Sequence, residues 1–350
     1  MRPLLLPALR RLWRDVSTLQ LGVDPVRAVV VCNLPPGAPS LLDRLDGTAG
    51  LDEILLAATA EGLDRDAAAH LVSVLVEARA VVDAALLAPL PLTLDARSRH
   101  RLAPDIASLS LLGRDPGDVF TRRRGAMVAV HGPARLAMPV AATLASAGVG
   151  RVHVTGRGTV ADRDVAPGGF NPADVGLSRP EAAAAALRRV APQVDPRPLP
   201  PRGNTDLAVL TGAAAADDEL VERLLAAKVP HLVATVRETT GVVGPLVLPG
   251  HTSCLHCARL HRCDRDPLWP ALIAQLSTGP RDREDAQDTA MTTAVAGLTA
   301  LQALAHLDGA VAQTLDGTLE LALPDCRVRR RSWVIHPRCG CRGMTWERTA

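Results

Sequence analysis

Tyrosine does not occur in this chain of 350 residues, phenylalanine occurs twice, and aromatic residues make up 2% of the total. With an apolar content of 47%, the core must be aliphatic and rich in alanine. The length is sufficient for more than one domain. Lysine is reduced to Lys228, so arginine carries almost all the positive charge, and the formal net charge is only +2. That balance excludes a protein that holds nucleic acid through bulk charge. No apolar run reaches bilayer-spanning length, so no membrane partner is expected. The opening MRPLLLPALRRLW starts apolar, but Arg10 and Arg11 interrupt it before a secretory h-region is complete. A cytoplasmic location is the expectation.

Cysteine is present in an informative pattern. The stretch PGHTSCLHCARLHRCDRDPLWP, residues 249–270, supplies Cys254 and Cys257 as C-x-x-C, and the tail HPRCGC supplies Cys339 and Cys341 as C-x-C. Two close thiol pairs far apart in sequence suit a tetrahedral four-cysteine zinc site, which is structural because no ligand position stays open. Seven cysteines leave one over in a disulfide framework, and a reducing compartment favours metal. His256, His261, Cys263 and His336 are spare candidate ligands, and Cys32 and Cys326 read as small apolar residues in strands.

Residues 1–90 read as a small winged-helix-like domain. Short apolar runs at 19–21 and 28–32 flank a turn, and three helices follow: one capped by Ser40, one over Leu51 to Ala58, and one capped by Asp64. The third helix carries His70, Glu77 and Arg79 but no basic cluster, so nucleic-acid contact is not expected. A strand edge beside a helix can instead capture an extended peptide. The candidate peptide-binding residues are Ala28, Val30 and Val31 on the strand, with Leu71 and Leu75 on the helix. Residues 91–124, with Pro91, Pro104 and Pro116, read as a linker with at most one short helix.

From residue 125 strands and helices alternate. Strands are expected over 127–131, 151–155, 206–210, 231–236 and 242–248, and helices over 134–147, 182–190 and 218–227, an α/β pattern that favours parallel pairing. A long helix over 282–307 with Met291, Ala294, Val295, Leu298, Leu301 and Leu304 on one face precedes two final strands, 318–323 and 327–335.

A strand, a glycine turn, a helix ending SAGVGRVHV, a later C-x-x-C and a terminal cysteine pair resemble the ThiF and MoeB adenylating superfamily. The resemblance implies a Rossmann-type domain over 125–350 with a glycine-rich turn facing ATP. The family turn is G-x-G-G-x-G, whereas here Gly132-Pro133-Ala134-Arg135-Leu136-Ala137 keeps only Gly132, a degenerate remnant. Pro133 removes an N–H that a phosphate could use. Gly156 and Gly158 stand where the resemblance implies an acidic ribose ligand, so ATP is not an expected cofactor.

The runs CLHCARLHRCDRDPLWP and RSWVIHPRCGC are similar to one branch of that superfamily, the leader-peptide-binding partners of azoline-forming cyclodehydratases. That likeness implies a non-catalytic scaffold that captures the leader of a ribosomal precursor peptide and presents it to a YcaO-type enzyme, with structural zinc and a homodimer. The alternative is a ThiF-like ATP-dependent adenylyltransferase that activates a carboxylate or carrier protein.

Overall fold

The computed structural model describes residues 1–199, 205–212, 217–278 and 287–343. The chain forms two compact units, 1–121 and 122–350.

In the first unit β1 (Pro3–Leu5) pairs antiparallel with β5 (Val81–Asp83), so the two ends of the small core close on one ribbon. A second sheet has the order β2 (Arg11–Trp13), β3 (Leu19–Leu21), β4 (Val29–Val31), all antiparallel. Helices α1 (Ala38–Asp43), α2 (Leu51–Ala60) and α3 (Arg65–Glu77) lie between β4 and β5. The Asp64 carboxylate accepts the Ala67 N–H at 2.9 Å and so fixes the start of α3. Ala68, Leu71, Val72 and Leu75 then fall on one side of that helix and bury with Leu19, Leu21, Leu41 and Ile54. Ser40 is not the cap of α1, which begins after Gly37; Ser40 lies inside the helix and donates to Glu61.

Three helices occupy the stretch expected as a linker: α4 (Ala96–Arg101), α5 (Ala103–Leu111) and α6 (Pro116–Gly125). Pro104 and Pro116 stand in the first turns of α5 and α6, where a missing N–H costs nothing. They read as breakers but act as helix starts. Leu94, Leu102, Leu109, Val119 and Phe120 form a core of their own beneath these helices.

The second unit is built on a seven-stranded mixed sheet. Its parallel part comprises β6 (Met127–His131), β7 (Arg151–Val154), β8 (Leu207–Thr211) and β9 (His231–Arg237). Its antiparallel part comprises β10 (Thr240–Val247), β11 (Gly317–Ala322) and β12 (Arg327–Ser332), and the order across the sheet is β12-β11-β10-β9-β8-β6-β7. The helices are α7 (Ala134–Ser146), α8 (Arg179–Val190), α9 (Asp218–Ala226), α10 (Leu255–Arg265), α11 (Trp269–Thr278) and α12 (Thr289–Leu307). Helices α7, α8 and α12 share a core of valine, leucine and alanine with one sheet face, while α9 covers Ala208, Leu210 and Val233 on the other. The aliphatic, alanine-rich core expected from composition is what fills this unit.

Helix α12 starts at Thr289, and positions 282–286 of the expected helix lie outside the described residues. By length and composition it is apolar enough to cross a membrane, yet Met291, Val295, Ala296, Ala300 and Ala303 are buried in the core. The buried face differs from the expected stripe: Ala294 and Leu301 are exposed, and small residues face inward. A Cβ on Gly241 would stand 2.2 Å from the Val295 side chain and 2.9 Å from the Met291 sulfur, so β10 carries glycine where these two side chains of α12 pack. The buried Arg123 guanidinium fastens the far end of the helix, donating to both carboxylate oxygens of Asp308 at 2.8 and 2.7 Å and to the Ala147 carbonyl at 2.9 Å.

Candidate functional site

The four cysteines come together. Cys254 is the N-cap of α10 and Cys257 lies in its first turn, so the helix start presents both sulfurs on one side. The Sγ distances are 3.8 Å for Cys254–Cys257, 3.6 Å for Cys254–Cys339 and 3.5 Å for Cys257–Cys341, and all four atoms lie within 4.8 Å of one another. A tetrahedron of thiolates about 2.3 Å from a central ion has edges of about 3.8 Å, so the donor set fits a metal ion. A disulfide would need about 2.05 Å. All four residues are buried. Burial pushes the Cys254 thiol up to about 12, and the neighbouring sulfurs of Cys257 and Cys339 add to it. Burial also raises Cys341. At Cys257 burial pushes the same way but is outweighed by hydrogen bonds, among them the His336 and Cys254 backbones, which hold it below the ordinary thiol value. Four crowded thiols of this kind ionise together only when a cation neutralises them.

The spare ligand candidates are committed elsewhere. The His336 Nδ1 accepts the Arg338 N–H at 3.1 Å, so its Nε2 carries the proton and donates to Asp264 at 2.7 Å. His261 Nε2 donates to the Val334 carbonyl at 2.8 Å, and His256 Nδ1 accepts from Arg259 at 2.9 Å. Cys263 is outside the cluster. Cys32 and Cys326 are exposed rather than buried in strands; Cys326 sits at φ 53° in the β11–β12 turn.

The glycine turn has a structural use. Gly132 follows β6 at φ +121°, and a Cβ there would stand 2.1 Å from the Thr211 carbonyl oxygen. Thr211 Oγ1 donates to the His131 carbonyl at 2.9 Å, locking the ends of β6 and β8 together. Pro133 caps α7 without a side-chain hydrogen bond. The Arg135 guanidinium donates to the carbonyls of Arg163 (3.2 Å), Val165 (3.1 Å) and Gln287 (3.3 Å) and to Thr289 Oγ1 (2.8 Å). It staples the start of α7 to that of α12 instead of facing an anion. The cavity left between Gly132, Thr155, Gly156 and Arg179 is about 20 Å3, room for about one water. Asp217 caps α9, within electrostatic reach of His131 beside the turn, and Asp218 pairs with Arg259.

The expected peptide edge divides. Strand β4 pairs with β3 alone among the described residues, leaving its outer side free. Val30 is 43% exposed, and Val31 packs partly against the small core. The Ala28 N–H is already bonded to the Asp24 carbonyl at 2.7 Å. Leu71 and Leu75 are 5% and 0% exposed, so both side chains serve the core of the unit. The margin of α3 that stays open carries Val76, at 38% exposure, which reading the apolar stripe by spacing had passed over.

A Rossmann-like sheet, a glycine turn at the end of its first strand and a buried four-cysteine cluster together define a ThiF-type protein. The ThiF family matches residues 120–343, well over half of the sequence, and the chain belongs to that family. The fold is similar over nearly its whole length to solved structures. E. coli MccB with ATP superposes with a TM-score of 0.73 at 14% identity, covering 97% of this chain and 99% of that one. The microcin C7 biosynthetic enzyme MccB in complex with N-formylated MccA gives 0.73 at 15% identity, covering 98% and 100%. PaaA gives 0.69 at 16% identity, covering 93% and 98%. At these identities the likeness is one of fold. No curated protein matches the sequence.

Proposed function

We propose that this ThiF-family chain is a non-catalytic peptide-binding scaffold in ribosomal peptide biosynthesis. Its first unit, read as a winged helix, captures the leader of a precursor peptide in the cytoplasm, and a separate YcaO-type enzyme performs the ATP chemistry. The four cysteines hold a structural zinc. The observation that carries the reading is the closed turn at Gly132: glycine packed against Thr211, proline after it, and the Arg135 donors filled by carbonyls and a hydroxyl. Support for a peptide ligand comes from the free edge of β4 and from full-length likeness to MccB, one structure of which holds MccA. That likeness also favours a second reading, an adenylyltransferase acting on a peptide, since another MccB structure holds ATP.

Two measurements separate the readings. ATP–pyrophosphate exchange by the purified full-length chain, with leader-bearing precursor as acyl substrate, is expected at background. A labelled leader segment of a candidate precursor peptide is expected to bind in fluorescence polarisation at micromolar concentration or below. Exchange well above background establishes the adenylyltransferase, and absence of leader binding removes the scaffold.

A further inference from the structure

The antiparallel end of the large sheet gathers arginine on one face. Arg327, Arg329 and Arg331 alternate along β12 opposite Ala322, Glu320 and Thr318. Glu320 stands opposite Val242, and Val242 opposite Thr235, so Arg237, two positions on, shares that face. Helix α10 adds Arg262, whose guanidinium lies 5.1 Å over the Trp269 ring. Carboxylates are few. Glu320 is taken by Arg331 at 3.1 Å and Asp325 by Arg329 at 3.0 Å. Among the described residues the guanidinium groups of Arg237, Arg262 and Arg327 have no carboxylate within 4 Å; the Arg327 backbone N–H donates to Asp325 at 3.3 Å. The Arg262 guanidinium is depressed first by burial and then by Arg237, with Arg331 and Arg265 adding and Glu320 opposing.

We propose that this face is a docking surface for an acidic polypeptide segment that adds as a strand along β12. All six residues of β12 are exposed, and the strand pairs only with β11 among the described residues. Its outer N–H and C=O groups are therefore open to a partner strand, and every second side chain of that strand would meet the arginine face. Charge on an edge strand also discourages aggregation. That accounts for the arginines of β12 but not for Arg237 and Arg262, which lie inward from the edge. Concentrated like charge destabilises the free protein and is relieved by a complementary partner. A nucleic acid supplies negative charge but no amide backbone to pair with the edge, and the chain as a whole is only +2. The surface lies in the second unit, so the inference stands apart from leader capture at β4.

The test uses the full-length chain and a fluorescein-labelled alternating Glu–Val peptide in anisotropy titrations at low salt. The peptide binds, added salt weakens it, and the matching Lys–Val peptide does not bind. The double variant Arg327→Gln/Arg329→Gln, both exposed on β12, weakens binding at least about tenfold at an unchanged melting temperature. Arg327→Gln, an exposed change, weakens it in the same direction and serves if the double variant is unstable. Replacing alternate valines of the peptide with proline, at constant charge, also weakens binding because the ladder is lost. Unchanged binding by the arginine variants, equal binding of the proline peptide, or displacement of the peptide by an oligodeoxythymidine at lower concentration than by unlabelled peptide overturns the proposal.

Discussion

Cys254 and Cys339 stand 85 positions apart in the sequence and bring their sulfur atoms to 3.6 Å. The tail after β12 is thereby returned to the start of α10. Structural zinc contributes about 10–16 kcal/mol of apparent binding energy in small peptides, so either ligand is costly to lose. Cys254→Ser and Cys339→Ser are expected to lower bound zinc, read by elemental analysis, and to lower the melting temperature. Acid should release the metal. A thiol that sits near 12 without metal must lose its proton to bind, so protons compete more strongly as pH falls. Wild-type stoichiometry in both serine variants would show the site to be wrong.

Gly132 is expected to tolerate no side chain. Gly132→Ala should cost more than about 2 kcal/mol, because φ is positive and the new methyl meets the Thr211 carbonyl. The measurement is urea unfolding of the purified variant. A neutral result would reopen the turn as a loose, ligand-accessible loop.

Asp308→Asn removes the carboxylate that two Arg123 donors reach at 2.8 and 2.7 Å, both side chains being almost wholly enclosed. The expected loss is about 3–5 kcal/mol, as for other broken buried pairs. An asparagine variant that melts within a degree or so of wild type would show that water reaches this pair.

Val30→Pro places a ring on the free edge of β4. Leader binding in fluorescence polarisation should be abolished, with circular dichroism verifying that the unit remains folded. Val76→Asp tests the open margin of α3 and is expected to weaken the same binding. If both folded variants bind leader as wild type does, recognition lies outside the β4 edge and the α3 margin.

The proposed homodimer is tested on the exposed face of α12. Leu301 is 64% exposed on α12, with Ala294 exposed on the same helix. Leu301→Glu is expected to shift a dimer toward monomer in light scattering at micromolar concentration. A monomeric wild-type chain would remove the expectation altogether. Leu301 is also instructive about the sequence. Spacing put it on one apolar face with Met291 and Val295, and the fold buries those two against Gly241 while leaving Leu301 exposed.

Short-range chemistry made much of this protein legible from its residues alone. Alternation and helical spacing located the strands β6 to β12 and the helices α7 to α9. The C-x-x-C and C-x-C spacings picked out the four thiols that the fold gathers within 4.8 Å of one another, because each pair has to fit within one turn. The change of Gly132's neighbours to proline and arginine showed that the phosphate turn departs from its family. Tertiary structure decided what depends on neighbours from other parts of the chain. It assigned the Arg135 donors to carbonyls of two separate segments, turned the expected linker into three helices over a small core, and enclosed Leu71 and Leu75. It also put Arg237 of β9 on the sheet face that carries the β12 arginines, since hydrogen-bond register aligns residues that no local pattern links.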